Sequence, residues 1–240
     1  MRGRWKYRAS ERELMEDPAA EEELLFATVR QFAPINRLLS RSRTLIRRHI
    51  LDDAARRGLS RYTVLDLGAG GCDIAEWLVA AADSRGASTQ VICLDSDPRI
   101  AAYARRRVAG TPNLQVLEAS AEEVSLVGPV DYIFANHFLH HLTSSEILDL
   151  LPILREYARY GVVLNDLKRS RLSYVGFSIV ATLFFRKSFA FYDGRLSIRR
   201  GFRRRELEQM VSAAGLSEEA EVRALFPGRL AVIWRPPESV

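Results

Sequence analysis

Three of the four histidines in this chain crowd into positions 137–141, within the run NHFLHHLT that follows an apolar stretch from Val130 to Ala135. Imidazole has an ordinary pKa that lets it take up a proton near neutrality, so a histidine at the end of a buried strand is a candidate general base. His140 and His141 would point about 100° apart on a helix, so at most one of them is expected to face a reacting group. The competing reading is structural: a histidine here can pack against or cap the next helix. A second group of candidates lies at residues 63–73, TVLDLGAGGCD, where a short apolar strand leads through Asp66 into Gly68, Ala69, Gly70 and Gly71. Residues without a Cβ let the chain bend sharply and let a ligand lie against the backbone.

About 25 residues beyond the glycines, the apolar run QVICLD ends in Asp95 and Ser96 follows. A carboxylate there offers acceptors to both hydroxyls of a ribose. A dinucleotide fingerprint would need a third glycine three residues after the second, with a pyrophosphate on the helix start. That position is Asp73. Its carboxylate suits a helix dipole but repels a phosphate. The better ligand has a cationic or zwitterionic end and no phosphate, a description that S-adenosylmethionine meets.

The elements that must position these groups follow in order. A helix is expected from Ile74 to Ala82, a strand from Gln90 to Asp95, and a helix from Pro98 to Val108 with proline near its first turn. Strands are expected at Asn113–Glu118, Val130–Ala135 and Tyr160–Asn165. An amphipathic helix from Phe202 to Ala214 stops at Gly215. Glu221–Phe226 and Leu230–Trp234, separated by Pro227 and Gly228, then form an antiparallel pair.

VLDLGAGGCD resembles motif I of the class I S-adenosylmethionine-dependent methyltransferases, NHFLHHLT resembles their motif II, and Asp166 falls where motif III begins. The motif likeness spans roughly residues 63–170, and the C-terminal hairpin extends it. The resemblance implies a Rossmann-like α/β fold, with a seven-stranded, mostly parallel sheet ending in an antiparallel hairpin. It also implies S-adenosylmethionine as cofactor and S-adenosylhomocysteine as product. Asp66, Gly68, Ala69, Gly70, Asp95, Ser96, Ser120, Ala121 and Asn136 are then expected to bind the cofactor. Ser120 departs from the family pattern, which usually has aspartate there. His141 or His140 would act as base. YDGRLSIRRGFRRREL, from Tyr192 to Leu207, is similar to small bacterial methyltransferases of lipophilic phenols and quinone precursors, including those associated with type III polyketide and alkylresorcinol synthesis. That likeness implies O-methylation of a lipophilic phenolic or polyketide-type molecule, with His137, Tyr174, Phe177 and Tyr192 at the acceptor. C-methylation of a quinone precursor, an RNA or protein methyltransferase, and a non-enzymatic cofactor-binding partner protein are the rival readings.

With 240 residues, 48% of them hydrophobic, the chain can bury one substantial core. Residues 1–60 are expected to form an N-terminal helical extension or lid, with Pro34 opening a helix from Ile35 to Arg57. Residues 61–240 are expected to form the methyltransferase domain, with an apolar and basic insertion at 168–200. Cys72 and Cys93 give no disulfide framework, and no cysteine and histidine spacing suggests a metal site. No signal-type segment opens the chain, so a cytoplasmic protein is expected. Residues 166–205 hold 11 basic residues against 2 acidic ones, and inside that window Leu172–Phe185 is uncharged and apolar. The run is shorter than the roughly 20 residues of a membrane span. Flanked by Lys168, Arg169, Arg171, Arg186 and Lys187, it reads either as an interfacial element or lid over a greasy acceptor, with peripheral membrane contact, or as a buried helix with solvated ends. Its aromatics are set among aliphatics rather than among basic residues, which argues against a nucleic-acid platform.

Overall fold

The sheet is built from strands whose apolar residues run nearly unbroken, because helices cover both faces. In the computed structural model, which describes residues 5–185 and 187–235, seven strands lie in the order β3-β2-β1-β4-β5-β7-β6. They are β1 (Arg61–Leu67), β2 (Ser88–Asp95), β3 (Leu114–Glu118), β4 (Val130–Asn136), β5 (Ala158–Leu167), β6 (Ala220–Leu225) and β7 (Arg229–Trp234). All neighbours are parallel except β5–β7 and β6–β7. Every residue of central β4 is buried. The carboxyl ends of β1, β2, β4 and β5 therefore converge on one edge, and β7 begins there because it runs backwards, pairing Arg229 with Leu167.

Nine α-helices among the described residues complete the layers: α1 (Glu22–Leu38), α2 (Ser42–Ile46), α3 (Asp52–Arg56), α4 (Asp73–Asp83), α5 (Pro98–Val108), α6 (Ser144–Tyr157), α7 (Arg171–Phe184), α8 (Ala190–Arg200) and α9 (Arg204–Ala213). In α5, Asp97 accepts from the Arg99 N–H at 2.9 Å and Pro98 starts the helix. Ile100, Ala101, Ala104 and Val108 are buried along one face at helical spacing. Two apolar clusters result, one per face of the sheet. Leu150, Leu154, Leu207 and Val211 belong to the first, and Leu45, Ile50, Leu78 and Ala101 to the second.

The N-terminal region corrects one expectation. Pro34 does not open a helix but lies inside α1, and the chain breaks later, at Ser40 and Arg41. The hydroxyls of Ser40 and Ser42 donate to the Asn36 carbonyl at 2.5 and 3.2 Å, and Arg41 takes a left-handed φ of 63°. Side-chain hydroxyls that compete for a helical carbonyl end a helix more readily than a proline tolerated within it. From Ser42 the backbone stays helical through a π turn, Arg47–Leu51, into α3. The described part of the stretch 168–200 contains α7 and α8, which pack on each other. Arg186, one of the expected flanking charges, lies outside the described residues. Among the described residues no helix is long and apolar enough to cross a membrane.

Candidate active site

A cavity of about 690 Å³ opens at the carboxyl edge of the sheet, within the size usual for small-molecule sites, roughly 300–1,000 Å³. Its first end is made by the turn between β1 and α4. Gly68 and Gly70 have φ of 64° and 54°, a region costly for residues with a Cβ. A Cβ on Gly68 would come within 2.7 Å of the Phe138 ring, whereas one on Gly70 would meet nothing within 4 Å. The first glycine thus serves packing, and the second leaves the backbone open to a ligand. Asp95 braces the turn, accepting from the Gly70 N–H at 3.0 Å and the Asp97 N–H at 3.1 Å.

Three carboxylates surround this turn. Burial pushes the Asp66 carboxyl well up, and the negative charges of Asp73 and Asp95 add to it. Burial likewise raises Asp73 and Asp95, against the hydrogen bonds each accepts. Carboxylates crowded this way favour a cationic ligand and disfavour a phosphate. The sulfonium and ammonium of S-adenosylmethionine fit that field, and Asp95 would hold its ribose. Ser96, Ala119 and Ala121 line the adjoining wall.

The second end is built around the histidines. After β4, Leu139–His141 form a 3-10 turn whose carbonyls are clamped by two arginines. Arg200 donates to the His140 and His141 carbonyls at 3.1 and 2.9 Å, and Arg8 to those of His140 and Leu142 at 3.1 and 2.8 Å. The His140 ring is buried, and its Nδ1 lies 2.7 Å from Asp166 Oδ1, while its backbone N–H donates to Asp166 Oδ2 at 3.0 Å. Burial alone would raise Asp166, but the adjacent His140 holds it well below the usual carboxylate range. An ionised Asp166 keeps the proton on Nδ1 and leaves Nε2 as the basic nitrogen. His141 repeats the pattern, with Nδ1 2.6 Å from Glu16 Oε1.

An N-terminal segment closes over this end. Buried Asp193 in α8 accepts from the Leu14 and Met15 N–H groups at 2.7 and 3.1 Å. Glu13 accepts from the Ser197 hydroxyl at 2.7 Å and stands 3.6 Å from His140 Nε2. Burial pushes the Glu13 carboxyl up to about 7, against the pull of His141 and the Ser197 hydroxyl. Burial would raise Glu16 too, but His141 and Arg200 hold it at about 2.

Most expected site residues meet in this one cavity. Asp66, Gly68, Ala69, Gly70, Asp95, Ser96, Ala121, Asn136, His137, His140, His141 and Phe177 all line it. Both His140 and His141 face inward, contrary to the expectation that one at most would, because the tight 3-10 turn brings their rings to 4.2 Å at a 35° tilt. Ser120 is outside the lining, since its side chain caps the turn Ala121–Leu126 in a reciprocal box with Glu123. Tyr174 is outside it too; its hydroxyl accepts from Arg195 and its ring lies edge-on to Trp5 at 5.4 Å. Tyr192 is 49% exposed and does not line the cavity. Asn136 donates to Asn36 at 3.1 Å and accepts from Asn165 at 2.7 Å.

Glu13, Glu16, Ser197 and Arg229 also line the cavity without having been expected there. Nothing in their local sequence marks them, because they reach the site from the two chain ends and the insertion. Ligand atoms of Glu13, His140 and His141 lie within 4.8 Å of one another, a separation at which a cation can be considered. The Arg200 guanidinium, 4.0 Å from Glu13 and 2.5 Å from Glu16, already neutralises that corner and opposes a dication. At Arg229, burial draws the guanidinium down to about 10; its Nη1 is 3.3 Å from His137 Nδ1.

Residues 64–161 match the family model described as a methyltransferase domain. No curated protein matches the sequence. Among solved structures, an S-adenosylmethionine-dependent methyltransferase from Aquifex aeolicus is similar at a TM-score of 0.61 and 18% identity, over 88% of this chain and 98% of that one. The plantazolicin methyltransferase BpumL, solved with S-adenosylhomocysteine, gives 0.65 and 13% over 93% of each chain. An O-methyltransferase family protein from Burkholderia thailandensis gives 0.62 and 15% over 94% of this chain and 62% of that one.

Proposed function

We propose that this chain is a class I S-adenosylmethionine-dependent methyltransferase that methylates the hydroxyl oxygen of a lipophilic phenolic small molecule. The observation that carries the reading is the His140–Asp166 pair on the wall of the same cavity as the glycine turn. The bound cofactor supplies an electrophilic methyl group open to in-line displacement. A phenol has a pKa near 10, so it needs help to ionise at neutral pH. His140 Nε2 would accept the phenolic proton as the oxygen attacks, and Asp166 would stabilise the imidazolium that forms. His141 is the alternative base, and its orientation depends on Glu16 and hence on the segment over the site. The N-terminal segment that carries Glu13 and Glu16 would act as a lid here, excluding water and fixing the acceptor against the donor. Phe177, Met15 and Ile198 give the acceptor an apolar surround.

A lipophilic acceptor also suits α7. Leu172, Val175, Ile179 and Leu183 recur along one outward face, and with Phe184 they are between 54% and 80% exposed. An apolar patch of this kind, not scattered single residues, marks an interaction surface. Both acidic residues of the window 166–205, Asp166 and Asp193, are buried, whereas Lys168, Arg171, Lys187, Arg203, Arg204 and Arg205 are exposed. The outer charge is wholly basic, as contact with an anionic membrane surface requires. Phe177, on the opposite side of the same helix, lines the cavity.

Incubation with methyl-labelled cofactor and a panel of alkylated phenols tests the reading. Label is expected in an organic-soluble ether, and Asp166→Asn should lower kcat about a hundredfold while leaving S-adenosylhomocysteine affinity unchanged. Label appearing only in RNA or protein would refute it.

A further inference from the structure

Arg229 is a buried cation whose favourable charge, Asp166, stands beyond ion-pair distance and is already engaged by His140. It is 3% exposed, yet no carboxylate lies within ion-pair distance of it among the described residues, and its one side-chain hydrogen-bond partner there is His137 Nδ1. A guanidinium has five donors, and leaving most of them unmet in a buried place is costly. By accepting from Arg229, His137 Nδ1 leaves its own proton on Nε2, and that nitrogen is buried with no partner either. Beyond that one bond, neither the guanidinium nor His137 Nε2 has a protein acceptor among the described residues, and both residues line the cavity. The carboxylates near this end are spoken for: Asp166 by His140, Glu13 by the Ser197 hydroxyl, Glu16 by His141 and Arg200, and Asp193 by the Leu14 and Met15 backbone.

We propose that Arg229, with His137 beside it, is a subsite for an anionic oxygen group on the methyl acceptor, a carboxylate carried on the hydroxylated ring. The inference rests on the methyltransferase reading and names the acceptor's chemistry. A carboxylate could also come from the methionine end of the donor, but position argues otherwise. The glycine turn follows β1 and Asp95 ends β2, whereas Arg229 starts β7, three strands from β1 across β4 and β5. At about 4.8 Å per strand that is roughly 14 Å along the edge, on the side away from Asp95. His137 and His140 have ring centroids 6.2 Å apart, so an acid seated at His137 and Arg229 lies near the proposed base. That short span suits a hydroxybenzoic acid, with the acid and the reacting hydroxyl on one ring. Arginine's planar fork recognises a carboxylate through two parallel bonds, which an amide of the same shape cannot reproduce.

The test uses the full chain saturated with S-adenosylhomocysteine and titrates it calorimetrically with hydroxybenzoic acids and their hydroxybenzamide counterparts. The acids should bind at least about tenfold more tightly than the amides, Arg229→Gln should erase that preference, and Arg229→Lys should recover part of it. Circular dichroism of both variants separates loss of the subsite from loss of the fold. Equal binding of acid and amide by the native chain, or no binding of either, overturns the subsite. A tenfold loss of S-adenosylhomocysteine affinity in Arg229→Gln with the acid preference intact overturns the assignment to the acceptor and gives Arg229 to the donor. Failure of the native chain to bind S-adenosylhomocysteine at all would refute the methyltransferase reading instead, and it is read in a separate titration.

Discussion

Replacing Glu13 by glutamine tests whether the segment over the histidines is held by a carboxyl that prefers to be neutral. In the fold, burial lifts this group from 4.5 to about 7. The native state therefore binds a proton more tightly than the unfolded chain does, so stability falls as pH rises between those two values and is lowest above the upper one. The full shift of about 2.5 pH units corresponds to about 3 kcal/mol at 1.36 kcal/mol per unit. Part of that cost is already present near pH 5, which leaves about 2.5 kcal/mol to develop between about pH 5 and about pH 8. Glutamine keeps a carbonyl oxygen for the Ser197 hydroxyl and cannot ionise. Urea unfolding at the two pH values should therefore show the variant gaining about 2.5 kcal/mol on the native protein as pH rises, whatever their difference at the acid end. Parallel stability curves for the two proteins would refute the buried position of Glu13 against His140, and with it the closed placement of the N-terminal segment.

Two further outcomes bear on other parts of the molecule. Asp95→Ala should weaken S-adenosylhomocysteine binding by about 2 kcal/mol in calorimetry, since it removes an acceptor for the ribose and frees the Gly70 N–H that the carboxylate holds at 3.0 Å; unchanged affinity would place the sugar elsewhere. Leu172→Glu combined with Ile179→Glu should abolish flotation with vesicles rich in anionic lipid while leaving methylation of a soluble phenol intact. Equal flotation of native and variant chains, or none by the native chain, would show that the outward face of α7 does not meet lipid.

How far the sequence discloses this architecture depends on how local each cause is. The expected helix Pro98–Val108 coincides with α5 because its cap, its proline and its apolar spacing are all contained in the segment. The turn at Gly68–Gly70 is legible for the same reason: positive φ is a property of the residue itself. The box of Thr143 and Glu146 that starts α6 is an equally local signal, with the Glu146 carboxylate accepting from the Thr143 N–H at 2.6 Å. The break at Ser40 was not legible, because proline is the louder symbol while two hydroxyls turned on one carbonyl decide the outcome. Ser120 and Tyr174 lie outside the cavity lining on similar grounds, each having a partner that composition does not announce, Glu123 in one case and Arg195 in the other.

The histidine end of the cavity was least legible, and the reason is physical. Asp66, Gly70 and Asp95 sit at strand ends, where the sheet alone determines which side chains meet. Glu13, His140, Ser197 and Arg229 meet because the first residues, the turn after β4, the insertion and the last hairpin fold over one edge, across separations as large as 184 residues. No periodicity encodes such a meeting. The glycine-turn end of the cavity therefore follows from the sheet, whereas the histidine end is assembled from segments lying outside the matched span of residues 64–161 as well as from the histidine turn within it. On the proposed reading, specificity can then change through the N-terminal segment, α7, α8 or the hairpin while the glycine turn and Asp95 stay as they are, which is why a likeness to methyltransferases in the sheet carries little information about an acceptor.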